Sequence, residues 1–114
     1  MYTQLCILGL MKEIIWLGSS LKELRLFPPD AKQQAGYQLD NVQNGLKPDD
    51  FKPMTSIGQG VEEIRINEGG QFRVIYFARR EEAVYVLHSF QKKTQKTSQK
   101  DIQLAKMRLK EVSK

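Results

Sequence analysis

Three short strand-like runs stand close together in the second half of the chain, at residues 61–67, 71–78 and 83–90. Glu68-Gly69-Gly70 separates the first two, and residues 79–82 separate the second and third. Connections this short leave no room for a crossover, so each run must pair antiparallel with the next and the three must form a meander. The stretch Val74-Ile75-Tyr76-Phe77 is apolar at every position. A strand facing water on one side alternates, so part of this sheet is expected to be covered on both faces.

The flanking segments supply the covering elements. Lys12-Glu13-Ile14-Ile15-Trp16 has strand composition. Ser20-Leu21-Lys22-Glu23 has the capping-box pattern, in which a hydroxyl takes an orphan N–H and the glutamate three residues on reaches back. A short helix through about Phe27 is stopped by Pro28-Pro29, and a second helix begins near Pro29-Asp30. Ala31, Ala35, Leu39, Val42 and Leu46 recur at helical spacing, with Gly45 as the stop signal. The short connection makes the two helices an antiparallel hairpin. Residues 47–60 read as turns, and residues 91–97 as a polar, lysine-rich loop. Ser98 with Asp101 repeats the capping logic. Ile102, Ala105, Leu109 and Val112 then form one apolar stripe, with Leu104 and Met107 near its edge. The fold class expected is α+β: an N-terminal strand and α-helical hairpin packed on a small antiparallel sheet, with a C-terminal amphipathic helix. Residues 12–114 form one domain in this reading. Residues 1–11 are an N-terminal extension, with Met11 an alternative start.

At 114 residues the chain can bury a core without disulfide staples. Cys6 is the only cysteine and His88 the only histidine, which excludes an intrachain disulfide, a Cys–Cys redox pair and a Cys/His zinc site. No metal and no cofactor is expected. The apolar run at residues 5–11 is too short to span a bilayer, and no basic residue precedes it as in a secretory signal. The expected location is cytoplasmic, away from the membrane.

The formal net charge is +5, and its distribution matters more than its size. From Phe90 to the end there are eight basic and two acidic residues, a net +6; the first 89 residues carry ten basic and eleven acidic, a net −1. A localised block of this kind suits a phosphate-bearing partner, although a solvated face of a terminal helix has the same composition.

The chain contains no Ser–His–Asp set, P-loop or paired carboxylates in an identifiable cleft. Its chemistry-bearing feature is a group of cations at the ends of the small sheet. Arg65 lies on the first meander strand and Arg73 on the second, and Lys92 and Lys93 lie just past the third. Such like charges repel, so a core has no use for them. A phosphodiester does: guanidinium groups clamp its oxygens, and fixed positive charge stabilises the charge growing in the transition state. His88 reads either as a partly buried histidine satisfied by hydrogen bonds or as a member of the site.

The stretches Lys52-Pro53-Met54, Gly60-Val61-Glu62-Glu63-Ile64-Arg65, Phe72-Arg73-Val74-Ile75-Tyr76 and Leu87-His88-Ser89-Phe90-Gln91-Lys92-Lys93-Thr94-Gln95-Lys96-Thr97 resemble the HigB-type, phage-derived branch of the RelE/ParE toxin superfamily. The block with Phe90, Lys92, Lys93, Thr94 and Lys96 is its most specific part. The resemblance runs from about Lys12 to Val112 and implies a RelE-like fold. It implies a type II toxin that enters the ribosomal A site and cuts mRNA by attack of the ribose 2′-OH on the adjacent phosphate, without a metal. The implied partners are the ribosome, mRNA and a cognate antitoxin of helix-turn-helix type.

Carried over residue by residue, the resemblance makes Arg65 and Arg73 the groups that hold the scissile phosphate. Lys92 or Lys93 becomes acid, base or charge stabiliser. Lys52, His88, Phe90, Lys96 and Lys100 are implied RNA contacts, Phe90 by packing or by stacking on a base. Glu62 departs from the family, which usually has an aromatic residue there; strand alternation puts it on the face opposite Arg65. Two other readings remain open at this level: a same-fold toxin directed at DNA gyrase, as in the ParE branch, and an inactive RNA- or partner-binding homologue.

Overall fold

The computed structural model of the chain describes residues 11–78 and 83–112. The elements run β1 (Glu13–Trp16), α1 (Ser20–Arg25), α2 (Pro29–Gln43), β2 (Phe51–Pro53), β3 (Val61–Asn67), β4 (Gln71–Phe77), β5 (Ala83–Gln91) and α3 (Gln99–Val112). The strands form one five-stranded sheet in the order β1-β5-β4-β3-β2. The α+β class and the antiparallel meander of β3, β4 and β5 are as the sequence implies.

Two features of the sheet differ from expectation. β1 does not lie apart from it but pairs with β5, and the pairing is parallel, so the sheet is mixed. The segment read as turns contributes β2, which pairs antiparallel with β3 at the sheet edge. An edge strand tolerates Pro53, which has no N–H to donate, and three residues give no readable period. Residues 79–82, between β4 and β5, and the N-terminal segment before Met11 lie outside the described residues.

The doubly apolar β4 serves two cores, one on each face. Phe72, Val74 and Tyr76 join Ile64, Ile66, Val84 and Val86 under Leu24, Phe27, Ala31, Ala35, Leu39 and Val42 of the α1–α2 region. Ile75 points the other way, with Met54, Ile57, Val61 and Leu87, against Ala105 and Val112 of α3. A bulge between β4 and β5 pairs Ile75 with His88 but Tyr76 with Val86. The extra residue, Leu87, resets the alternation of β5 just before its C-terminal end.

The helix ends explain where two sequence readings shift. Ser19, not Ser20, is the N-cap of α1. Ser20 is fully buried inside the first turn, and its hydroxyl donates to the Val86 carbonyl, tying α1 to β5. α2 stops as Gly45 predicts, at φ +80°. The Gly45 N–H bonds the Val42 carbonyl and the Leu46 N–H bonds that of Asn41, the double bond of a Schellman stop. Leu46 therefore lies past the helix and is 59% exposed, so it does not extend the buried stripe. At α3 the expected cap is present: the Asp101 N–H donates to Ser98 Oγ at 3.2 Å.

Candidate functional site

Lys52 of β2 stands opposite Glu63 of β3, and Arg65 lies two residues further along the same face. β5 ends at Gln91, and the loop to α3 brings Lys92, Gln95, Lys96 and Thr97 over this corner. Together these segments enclose an open cleft of about 520 Å³. Four of the cations singled out in the sequence line it: Lys52, Arg65, Lys92 and Lys96. Thr55, Ser56, Gln95 and Gln99 add hydroxyl and amide groups, and Met54 and Ile102 an apolar patch. The arrangement presents positive charge at one place from three separate segments, with hydrogen-bonding groups beside it.

Arg73 is placed differently. It is the direct cross-strand partner of Arg65, but it is buried and does not line the cleft. Its guanidinium donates to the Phe72 carbonyl at 2.9 Å and to Gln71 Oε1 at 3.3 Å. Its Nε lies 3.6 Å from Glu63 Oε1, an ion-pair distance too long for a hydrogen bond. The premise that a core has no use for these cations thus fails at Arg73, because a buried acid accompanies it. Burial lowers the proton affinity of Arg73, Glu63 opposes that, and Arg65 adds to the lowering.

Lys92, half-buried in the cleft wall, is held below the ordinary lysine range. Desolvation is the largest cause and the Arg73 charge comes next; Glu63 opposes them, and Arg65 and Lys52 reinforce them. A lysine shifted in this direction gives up its proton more readily to a leaving oxygen.

Lys93 and Lys100 are exposed and lie outside the cleft lining. His88 is buried, with Nδ1 3.0 Å from Glu23 Oε1 and Nε2 2.7 Å from Asp101 Oδ1. Its ring stacks on Phe90 at 4.8 Å. Of the two readings of His88, the buried and hydrogen-bonded one describes this geometry. Phe90 is half-buried in the α3-side core, with its ring against His88. Arg108, part of the basic C-terminal block, also turns inward. It meets both oxygens of Glu23 at 3.0 Å and the Leu87 carbonyl at 2.9 Å.

Glu62 points away from the cleft, as alternation requires, and is held by the Tyr76 hydroxyl and by Lys47 at 2.9 Å. The acid that does sit beside the cations is Glu63. It is 2% exposed, and its Oε2 accepts from the Thr97 hydroxyl at 2.8 Å. Sequence reasoning passed over it, although its spacing of two from Arg65 marks the same strand face.

The profile of the phage-derived protein Gp49-like family (DUF891) matches residues 22–110, which include β2 to β5, the lysine loop and most of α3. The chain belongs to the Gp49-like family. This is a toxin-type family of toxin–antitoxin systems, so membership implies a cognate antitoxin as partner. A search of the curated proteins gave no match. In this Gp49-like chain, no helix among the described residues is long and apolar enough to cross a membrane. Nor does any group of three His, Cys, Asp or Glu among the described residues suit a metal ion. Glu23 and Asp101 approach opposite ring nitrogens of His88 and do not converge.

Proposed function

We propose that this Gp49-like protein is a HigB-type toxin that cuts mRNA in the ribosomal A site, in the cytoplasm, until its antitoxin neutralises it. The observation that carries the reading is the convergence of Lys52, Arg65, Lys92 and Lys96 on one cleft from three separate segments. A phosphodiester is the ligand whose charge and oxygen geometry suit such a set. A gyrase-directed toxin of the same fold has no need of it.

In this mechanism Arg65 clamps the non-bridging oxygens of the scissile phosphate, and Lys52 adds charge beside it. The ribose 2′-oxygen attacks phosphorus as its proton passes to a water molecule in the open cleft, the bond to the 5′-oxygen breaks, Lys92 gives that oxygen a proton, and solvent then reprotonates Lys92. The products are a 2′,3′-cyclic phosphate and a 5′-hydroxyl. Arg73 contributes from beneath as a fixed positive charge. Lys93, Lys96 and Lys100 hold flanking RNA, where surface cations act on the backbone without reading sequence. The antitoxin, of helix-turn-helix type, covers the cleft or keeps the toxin from the ribosome.

A reconstituted translation reaction with end-labelled mRNA tests this. Purified protein is expected to cut only translated mRNA and to leave cyclic phosphate and 5′-hydroxyl ends. Intact mRNA alongside inhibited DNA supercoiling favours the gyrase reading.

A further inference from the structure

Glu63 is an anomaly in a cleft built from cations. Among the described residues that line it, Glu63 is the only carboxylate. It is 2% exposed, and burying an acid there costs free energy unless its oxygens are engaged. Both are. One faces Arg73 Nε at 3.6 Å, and the other takes the Thr97 hydroxyl at 2.8 Å. Thr97 belongs to the loop that also carries Lys92 and Lys96, and this loop lies over the sheet between β5 and α3. Glu63 therefore joins three things: the strand that presents Arg65, the buried guanidinium of Arg73 and the loop that forms the opposite wall.

We infer that Glu63 is a positioning residue of the cleft, tying the Lys92 loop to β3 through Thr97 and counterbalancing the cations gathered there. The inference rests on the nuclease reading for its use but not for its test. Without Glu63, four lysines and arginines around the cleft and Arg73 beneath it lose their one buried counter-ion among the described residues, and the loop loses its side-chain tether to β3. The exposed Asp50, 3.9 Å from Arg65 Nε, is a poor substitute, because water screens that pair. Glu63 also acts on Lys92 in the direction that retains its proton, against Arg73, Arg65 and Lys52. The carboxylate thereby sets how far the clustered cations depress the lysine proposed as acid.

Two measurements on the full chain test this, and neither needs RNA cleavage. Thr97→Val removes the tether while nearly keeping the shape of this half-buried side chain. Amide hydrogen exchange across residues 92–98 is expected to speed up about tenfold or more; exchange equal to wild type overturns the tether. Glu63→Gln keeps the shape and removes the charge. In lysine-labelled protein the Lys92 side-chain resonance, assigned by Lys92→Arg, is expected to titrate at lower pH than in wild type. An unmoved midpoint overturns the counterbalance. If the protein cuts RNA, the alkaline limb of its rate profile moves down with that midpoint in Glu63→Gln, and Glu63→Asp restores it in part. A limb that stays while the midpoint moves overturns the link to Lys92. If the wild-type protein cuts no RNA, the nuclease reading fails, while exchange and titration still decide the role of Glu63.

Discussion

Arg65 and Arg73 face each other directly across β3 and β4, yet the Arg65 side chain is 44% exposed and that of Arg73 only 4%. Two like charges in register oppose each other in a sheet. Here they are separated by depth. Arg65 lines the cleft with its charge in water, and Arg73 lies under it with Glu63 as counter-ion. One arginine is open to solvent in the cleft; the other helps to build the wall beneath it.

Substitution should separate these roles. Arg65→Ala is expected to change stability by less than about 0.5 kcal/mol, as exposed substitutions do, while RNA affinity falls. Arg73→Ala leaves Glu63 buried without its partner and is expected to cost about 3–5 kcal/mol. Urea unfolding of both variants, with RNA binding measured on the folded ones, checks the division. Equal losses of stability would contradict it.

Binding should depend on salt in proportion to the cations in the cleft. If Lys52, Arg65, Lys92 and Lys96 each neutralise one phosphate of single-stranded RNA, log K falls against log salt with a slope of about −3. Lys96→Ala should make the slope shallower by about 0.7. Fluorescence titration with a short RNA across a range of salt concentrations gives both numbers. Because Arg108 is turned into the fold onto Glu23, Arg108→Ala should instead act on stability and leave the slope nearly unchanged.

Glu23 links acid stability to the docking of α3. Burial alone raises the proton affinity of its carboxyl. Hydrogen bonds from His88, Arg108 and the Ser89 N–H outweigh burial and hold it well below the usual carboxylate range. A depressed folded-state value contributes stability that is complete above the unfolded-state value, about pH 4.3, and is lost as pH falls below it. Glu23→Gln should cost about 2–4 kcal/mol at pH 7, and its difference from wild type should shrink as the pH falls below about 4. Unfolding midpoints at pH 7, 4 and 3 decide this. A constant difference would mean the carboxylate is not the source.

The start of α3 rests on Ser98, whose Oγ accepts the Asp101 N–H and donates to Asp101 Oδ2 at 2.7 Å. Asp101 in turn reaches His88. Ser98→Ala is expected to cost about 1 kcal/mol and to fray the first turn of α3. Amide exchange at residues 99–102 reads that fraying directly.

Much of this architecture could be read from local pattern. The short connection at Glu68-Gly69-Gly70, where Gly69 adopts φ +71°, allowed only a hairpin. The apolar continuity of β4 required two covering layers, and both are present. Two of the cleft cations, Arg65 and Lys92, were visible as residue types near strand ends, and the family resemblance added Lys52 and Lys96. What escaped depends on contacts between distant segments. The parallel pairing of β1 with β5 leaves no local trace, and β2 is too short to show a period. The bulge at Leu87 resets the side-chain direction of β5, so the burial of His88 between Glu23 and Asp101 could not be counted out along the strand. The burial of Arg73 depends on Glu63, which strand alternation does place on the face of Arg65.

In the proposed mechanism the Lys52–Arg65–Lys92–Lys96 cleft holds the phosphate at which mRNA is cut. Mapping the 5′ ends of cellular mRNA after induction, with wild type and Arg65→Ala side by side, tests it most directly. New 5′-hydroxyl ends within translated reading frames, in phase with codons, are expected for wild type, with their loss in an Arg65→Ala protein that remains folded. Growth arrest with no new ends, or the same ends from Arg65→Ala, would contradict it.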